Sequence, residues 1–181
     1  MPAPANDAFA NAQLLPSPWG AIDAFNGNGG TSDGPNDPLN VLFHSYGSQT
    51  VWYKWVGGPG ELTVYTSPAI WGTGATGGPV GSGSVFLTRP VIGVYQGSAL
   101  GALTELAFDA GTTTFKNYGN QNSTAGLLVN LPIYDTYYIE VTGLSDAGGG
   151  GSNISKGAFR LFWEGPPPFG GVVSMRKMVA L

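Results

Sequence analysis

The chain has one histidine, His44, so any Ser-His-Asp arrangement would have to be built on it. It lies in LFHSY beside Ser45, and neighbouring residues of an extended segment point to opposite faces, which is poor geometry for a nucleophile and its base. A structural histidine is the simpler reading. The run GTSDG at 30–34 matches the nucleophile elbow G-x-S-x-G, but an elbow needs a strand before it and a helix after it. Here glycine precedes and Pro35 follows. GTGATG at 72–77 matches G-x-G-x-x-G equally literally and lacks the helix whose N-terminus would face a phosphate.

The 11 carboxylates are scattered, so Asp135 with Glu140, or Glu61 with Glu105, could form a glycosidase-like pair only if the fold brought them together. The densest group of oxygen ligands is Asn26, Asn28, Asp33, Asn36 and Asp37. Asp33 and Asp37 are calcium candidates, because a hard cation takes carboxylates and carbonyls presented by glycine-rich turns. Asp7 and Asp109 are further acids of that kind. The same residue types make turns without any metal, and the alternating EF-hand spacing is absent. The expectation is therefore no cofactor, with calcium as the one ion the sequence accommodates. Asn122-Ser123-Thr124 and Asn153-Ile154-Ser155 are glycosylation sequons by pattern and indicate polar, exposed loops. Among 5 tryptophans and 8 tyrosines, Trp71 in the glycine-rich stretch 67–84 is the best placed for glycan contact.

These residues need a scaffold, and the composition describes one. A chain of 181 residues suits a single domain, and 42% hydrophobic with 12% aromatic residues argue for a packed core despite 30 glycines and 14 prolines. A net charge of -4 leaves too few cations for non-specific nucleic-acid binding, which depends on displacing counterions from phosphate. Cysteine is absent, which excludes disulfides, thiolate metal sites and cysteine nucleophiles. The stretch 1–15 has neither a basic n-region nor a continuous apolar h-region, and no run reaches the roughly 18 apolar residues of a membrane span. The expectation is a product made in the cytoplasm that stays soluble.

Strand periodicity dominates. QTVWYKW at 49–55 alternates Val51, Tyr53 and Trp55 with Trp52, Lys54 and Val56, and after the turn 57–60 the run ELTVYT alternates again. The pair reads as a central antiparallel hairpin. Further strands are expected at 19–25, 41–46, 85–95, 103–108, 112–118, 127–131, 136–142 and 158–163. Pro90 implies a bulge or an edge, because it cannot donate to a ladder. One short helix is expected over 7–15, with Asn6 as its N-cap. The stretch 26–40 is turn material throughout. Short strands divided by frequent turns indicate an all-β, two-sheet antiparallel sandwich of jelly-roll or Greek-key type over residues 1–164. Residues 165–181 read as a proline-glycine hinge and an extended apolar arm. In the arm Pro166, Pro167, Pro168, Phe169, Val172, Val173, Met175, Met178 and Leu181 are the candidate partner-binding residues.

Taken in order, NDAFANAQLL, VWYKWVGGPGELTVYT, VIGVYQGSALGALTELAF, TYYIEVTGL and GAFRLFWE resemble the bacterial pre-peptidase C-terminal domain, a jelly-roll sandwich found at the ends of secreted proteases. Similar patterns are expected in virion proteins of tailed phages, especially minor tail proteins. The resemblance spans most of residues 6–164, and VWYKW and VYQGSALGALTEL are its most specific runs. It departs at Thr88-Arg89-Pro90, where the family often has Phe-Asp-Thr, and at Phe108-Asp109-Ala110, which replaces a more acidic loop. A calcium site is therefore not carried over from the secreted relatives.

The resemblance implies a binding or structural module and no enzyme. With no export signal and no catalytic domain in view, it implies a virion component, decorating the capsid or forming part of the tail, whose partners are other virion proteins or copies of itself. The alternative is an adhesion module whose partner is a cell-surface glycan. No nucleic acid or membrane partner is expected.

Overall fold

The structure, a computed structural model, describes residues 4–26, 50–68, 87, 90–109, 125–143 and 157–167. Among these run nine strands: β1 Gln13–Leu14, β2 Trp19–Phe25, β3 Val51–Gly57, β4 Gly60–Pro68, β5 Pro90–Gln96, β6 Thr104–Asp109, β7 Gly126–Leu131, β8 Asp135–Gly143 and β9 Ala158–Glu164. They form a five-stranded sheet in the order β1-β3-β8-β5-β6 and a four-stranded sheet in the order β2-β9-β4-β7. The fold is all-β, a sandwich of two sheets. Every pairing is antiparallel except β1 with β3. The pairs are nested: β2 with β9, β3 with β8, β4 with β7, β5 with β6.

The two-residue alternation decides what fills the space between the sheets. Val51, Tyr53 and Trp55 of β3 and Tyr137, Ile139 and Val141 of β8 pack with Leu62 and Val64 of β4 and Phe159, Leu161 and Trp163 of β9 in one cluster. Each such side chain contributes roughly 1.5–3 kcal/mol relative to exposure. The opposite face of β3 is buried too. Trp52 packs with Tyr95 and Ala12 beneath Phe9, Leu100, Leu103 and Tyr138, so both tryptophans of VWYKW are fully enclosed.

Three expectations are corrected. The helix over 7–15 is a 3-10 turn at Phe9–Asn11 followed by β1, and Asn6 caps nothing. Its side-chain amide donates to the Trp52 carbonyl (3.0 Å) while its own carbonyl accepts from Trp52 N–H (2.8 Å). Pairing with β3 outweighs a helix too short to be stable alone. Second, β3 and β4 are not a hairpin: β3 pairs with β1 and β8, and β4 with β7 and β9. The 57–60 segment is a corner that carries the chain from one sheet to the other, with Gly58 at φ 100° and Gly60 at φ 135°. Third, Pro90 opens β5, a position that needs no ladder donor, and the bulge falls between Val94 and Tyr95 opposite β6. Proposed strands 41–46 and 112–118 lie outside the described residues.

Candidate functional site

The sandwich has two unlike ends. At one, Phe25 stands opposite Ala158, Pro68 opposite Phe159, Val51 opposite Val141 and Pro90 opposite Gly143. The connections containing 27–49, 69–86, 110–124 and 144–156 are therefore all anchored there. Their bases are held by buried polar groups. Asn26 Oδ1 accepts from Gly157 N–H (2.9 Å), Asp109 Oδ2 accepts from Gly126 N–H (2.9 Å), and Thr66 Oγ1 accepts from Ala125 N–H (3.1 Å). Two residues weighed as cation ligands, Asn26 and Asp109, thus serve as clasps between strands. Each satisfies a buried N–H that would otherwise cost about 1–3 kcal/mol.

At the other end the connections are short: the corner 57–60, the turn 97–103 and the turn 132–134, together with the linker 15–18 and the exit from β9. Trp163 Nε1 donates to the Pro16 carbonyl (2.7 Å) and Gly165 N–H donates to the Pro18 carbonyl (2.8 Å). Pro166 lies over Gly60, its Cγ 3.2 Å from where a Cβ would stand, and the Ile133 carbonyl closes on Gly58 in the same way. These contacts tie the linker 15–18, the exit from β9, the corner and the turn at Ile133 to one another. Two large apolar side chains at this end are open to solvent: Trp19 is 66% exposed and Ile133 52%. Tyr134, next to Ile133, is 45% exposed, and Leu14, opposite Lys54 of β3, is 58% exposed. Glu61 and Glu164 are both exposed, and Glu164 stands directly opposite Trp19.

Of the candidate partner-binding residues, Pro166 and Pro167 are half-buried against the body. Pro168, Phe169, Val172, Val173, Met175, Met178 and Leu181 lie outside the described residues, as do His44, Trp71, Asp33 and Asp37. The carboxylate pairs are not assembled. Asp135 and Glu140 lie on opposite faces of β8, and Glu61 and Glu105 belong to different sheets. No group of three or more His, Cys, Asp or Glu side chains converges as a metal site among the described residues. Sequence reasoning missed Trp19 and Ile133 as surface residues. The signals were there: an aromatic directly after a double-proline linker, and the apolar triplet Pro132-Ile133-Tyr134 where a turn between strands is ordinarily polar.

No protein-family model matches the chain, and no curated protein matches it.

Proposed function

We propose that the chain is a non-enzymatic virion structural protein of a tailed phage, a capsid decoration or tail component, whose residues beyond Pro167 attach the sandwich to neighbouring subunits. The observation that carries this reading is the exit from β9. Gly165 and Pro166 are tied to Pro18 and Gly60, so a segment leaving at Pro167 departs from a fixed point on a rigid body. That segment is apolar except for Ser174, Arg176 and Lys177 in its last stretch, and apolar area of this kind is what holds subunits together at roughly 25 cal/mol per Å² before association costs. The nested strand pairing is what a jelly-roll form of the sandwich would have. A chain ending at Pro167 is expected to fold, stay soluble and no longer join particles. Undiminished incorporation of that truncation defeats the reading.

A second reading, a glycan-binding adhesion module, draws on the shared end of the sandwich at which β2 and β4 finish, since Trp71, Asp33 and Asp37 belong to the connections that follow those strands in sequence. Glycan-array binding that is lost with Trp71→Ala, measured with and without calcium, favours it over the first. An array without signal dismisses it.

A further inference from the structure

The four-stranded sheet turns one face to the core and the other to solvent, and the strand register lays out the second face in full. Going beyond the attachment reading, we infer that this face is a binding platform for a neutral polysaccharide, centred on Trp19, Ala21 and Phe162. It shares a ligand class with the second reading but none of its residues.

Adjacency comes from the ladders themselves. One row across β2, β9, β4 and β7 reads Trp19, Glu164, Thr63 and Leu128, and the next reads Ala21, Phe162, Tyr65 and Gly126. A third holds Asp23, Arg160 and Ser67. Burial alternates to match. Leu161, Trp163, Leu62 and Val64 belong to the core, whereas Trp19, Ala21, Asp23, Glu164 and Leu128 are exposed.

The middle row carries the aromatic contact. The rings of Tyr65 and Phe162 stack across β4 and β9 with centroids 4.7 Å apart and planes 8° from parallel. Each holds the other in place, so little rotamer freedom remains to be lost when a ligand arrives. On the β2 side the cross-strand neighbour of Phe162 is Ala21, whose methyl group leaves a slot beside the ring. Trp19 lies two residues to one side of that slot and Asp23 two residues to the other, each ~6.7 Å along the strand. At the Asp23 end the carboxylate and the Arg160 guanidinium are locked together by two bonds of 2.6 Å. A carboxylate accepts more hydrogen bonds than these two and a guanidinium donates more, so both keep capacity at a fixed place. A pyranose uses such a set: its C–H faces lie on aromatic rings and its hydroxyls bond to polar groups at the rim.

Charge and size select the occupant. Asp23, Glu61 and Glu164 stand outward on this sheet against Arg160 alone, so a polyanion is repelled and a glycan without carboxylate or sulfate is accepted. A protein partner fits less well, because interface cores are depleted of charged residues and here charges stand beside the rings. The face is also small. Three strand spacings of ~4.8 Å make it ~14 Å wide, and Glu61 to Ser67 make it ~20 Å long at ~3.3 Å per residue, well short of the ~800 Å² each partner gives to a standard protein interface.

Isothermal titration calorimetry of the full chain with cellohexaose, chitohexaose and xylohexaose tests this, with oligogalacturonate as the anionic comparison. Binding to at least one neutral hexasaccharide is expected, with a blue shift of tryptophan emission as the Trp19 indole is covered. Trp19→Ala and Ala21→Arg, the first removing a stacking surface and the second filling the slot, should each weaken binding at least about tenfold. Both positions are exposed on a strand at the end of its sheet, and near-UV circular dichroism confirms that the variants fold. Leu14→Ser, at an exposed apolar position of the other sheet, should leave binding unchanged. Binding to none of the three hexasaccharides, tighter binding of oligogalacturonate, or binding indifferent to both slot variants overturns the inference. Loss of binding with Trp71→Ala alone also overturns it and leaves the second reading standing. So does self-association in sedimentation equilibrium that Ala21→Arg abolishes, since the face then belongs to another copy. None of these outcomes bears on the truncation at Pro167, which tests the attachment reading separately.

Discussion

Asp23 and Arg160 face each other across β2 and β9, with Nε and Nη2 of the guanidinium each 2.6 Å from a carboxylate oxygen. The guanidinium holds the Asp23 carboxyl below its ordinary pKa. With side chains 30% and 38% exposed, solvent screens the pair, and its worth is at most about 1 kcal/mol. Because the folded-state pKa is depressed, that stability is complete above the unfolded value of about 3.9 and is lost as pH falls through the folded value. Asp23→Asn should therefore lower the urea midpoint slightly at neutral pH, and the difference from the parent should close in acid. A difference that persists once the parent's Asp23 is protonated assigns the effect to packing. At this scale the sequence was read well for side chains that alternate and poorly for polar ones. Asn26 and Asp109 look like ligands or turn formers in isolation, and only the distant Gly157 and Gly126 amides reveal what they hold.

Strands β2, β7, β8 and β9 were legible almost residue for residue, because alternation of large apolar side chains is a local signal. The link between β3 and β4 was not. Glycine and proline announce a reversal without saying whether the next strand pairs with the last or crosses to the other sheet, and that choice is made by partners in β8 and β9 far along the chain. Gly58 shows what the crossing demands. Its φ of 100° is hard for any residue with a Cβ, and that Cβ would meet the Ile133 carbonyl. Gly58→Ala is expected to destabilise the protein by about 1–3 kcal/mol, read from the denaturation midpoint. An unchanged midpoint would mean that the corner can rearrange around a side chain.

At the scale of the molecule, the all-β two-sheet architecture was legible and the surface was not, since periodicity tells which face a residue takes but not whether that face is covered. Trp19 alternates like any sheet residue, yet its indole stands in solvent while that of Trp52 is enclosed. Past β9, Gly165 packs beside Trp55 and Leu62, and Pro166 lies over Gly60. Ending the chain at Glu164 should cost about 1–2 kcal/mol through the lost Gly165–Pro18 hydrogen bond and the uncovered corner, while ending it at Pro167 should leave the unfolding midpoint unchanged. Equal midpoints would mean that Gly165 and Pro166 add nothing to the body's stability. The nested pairing has one more effect, on timing. β9 lies between β2 and β4 at the heart of its sheet, and the bond from Trp163 to Pro16 spans 147 positions, so a nascent chain still held in the ribosome cannot close that sheet until β9 has emerged.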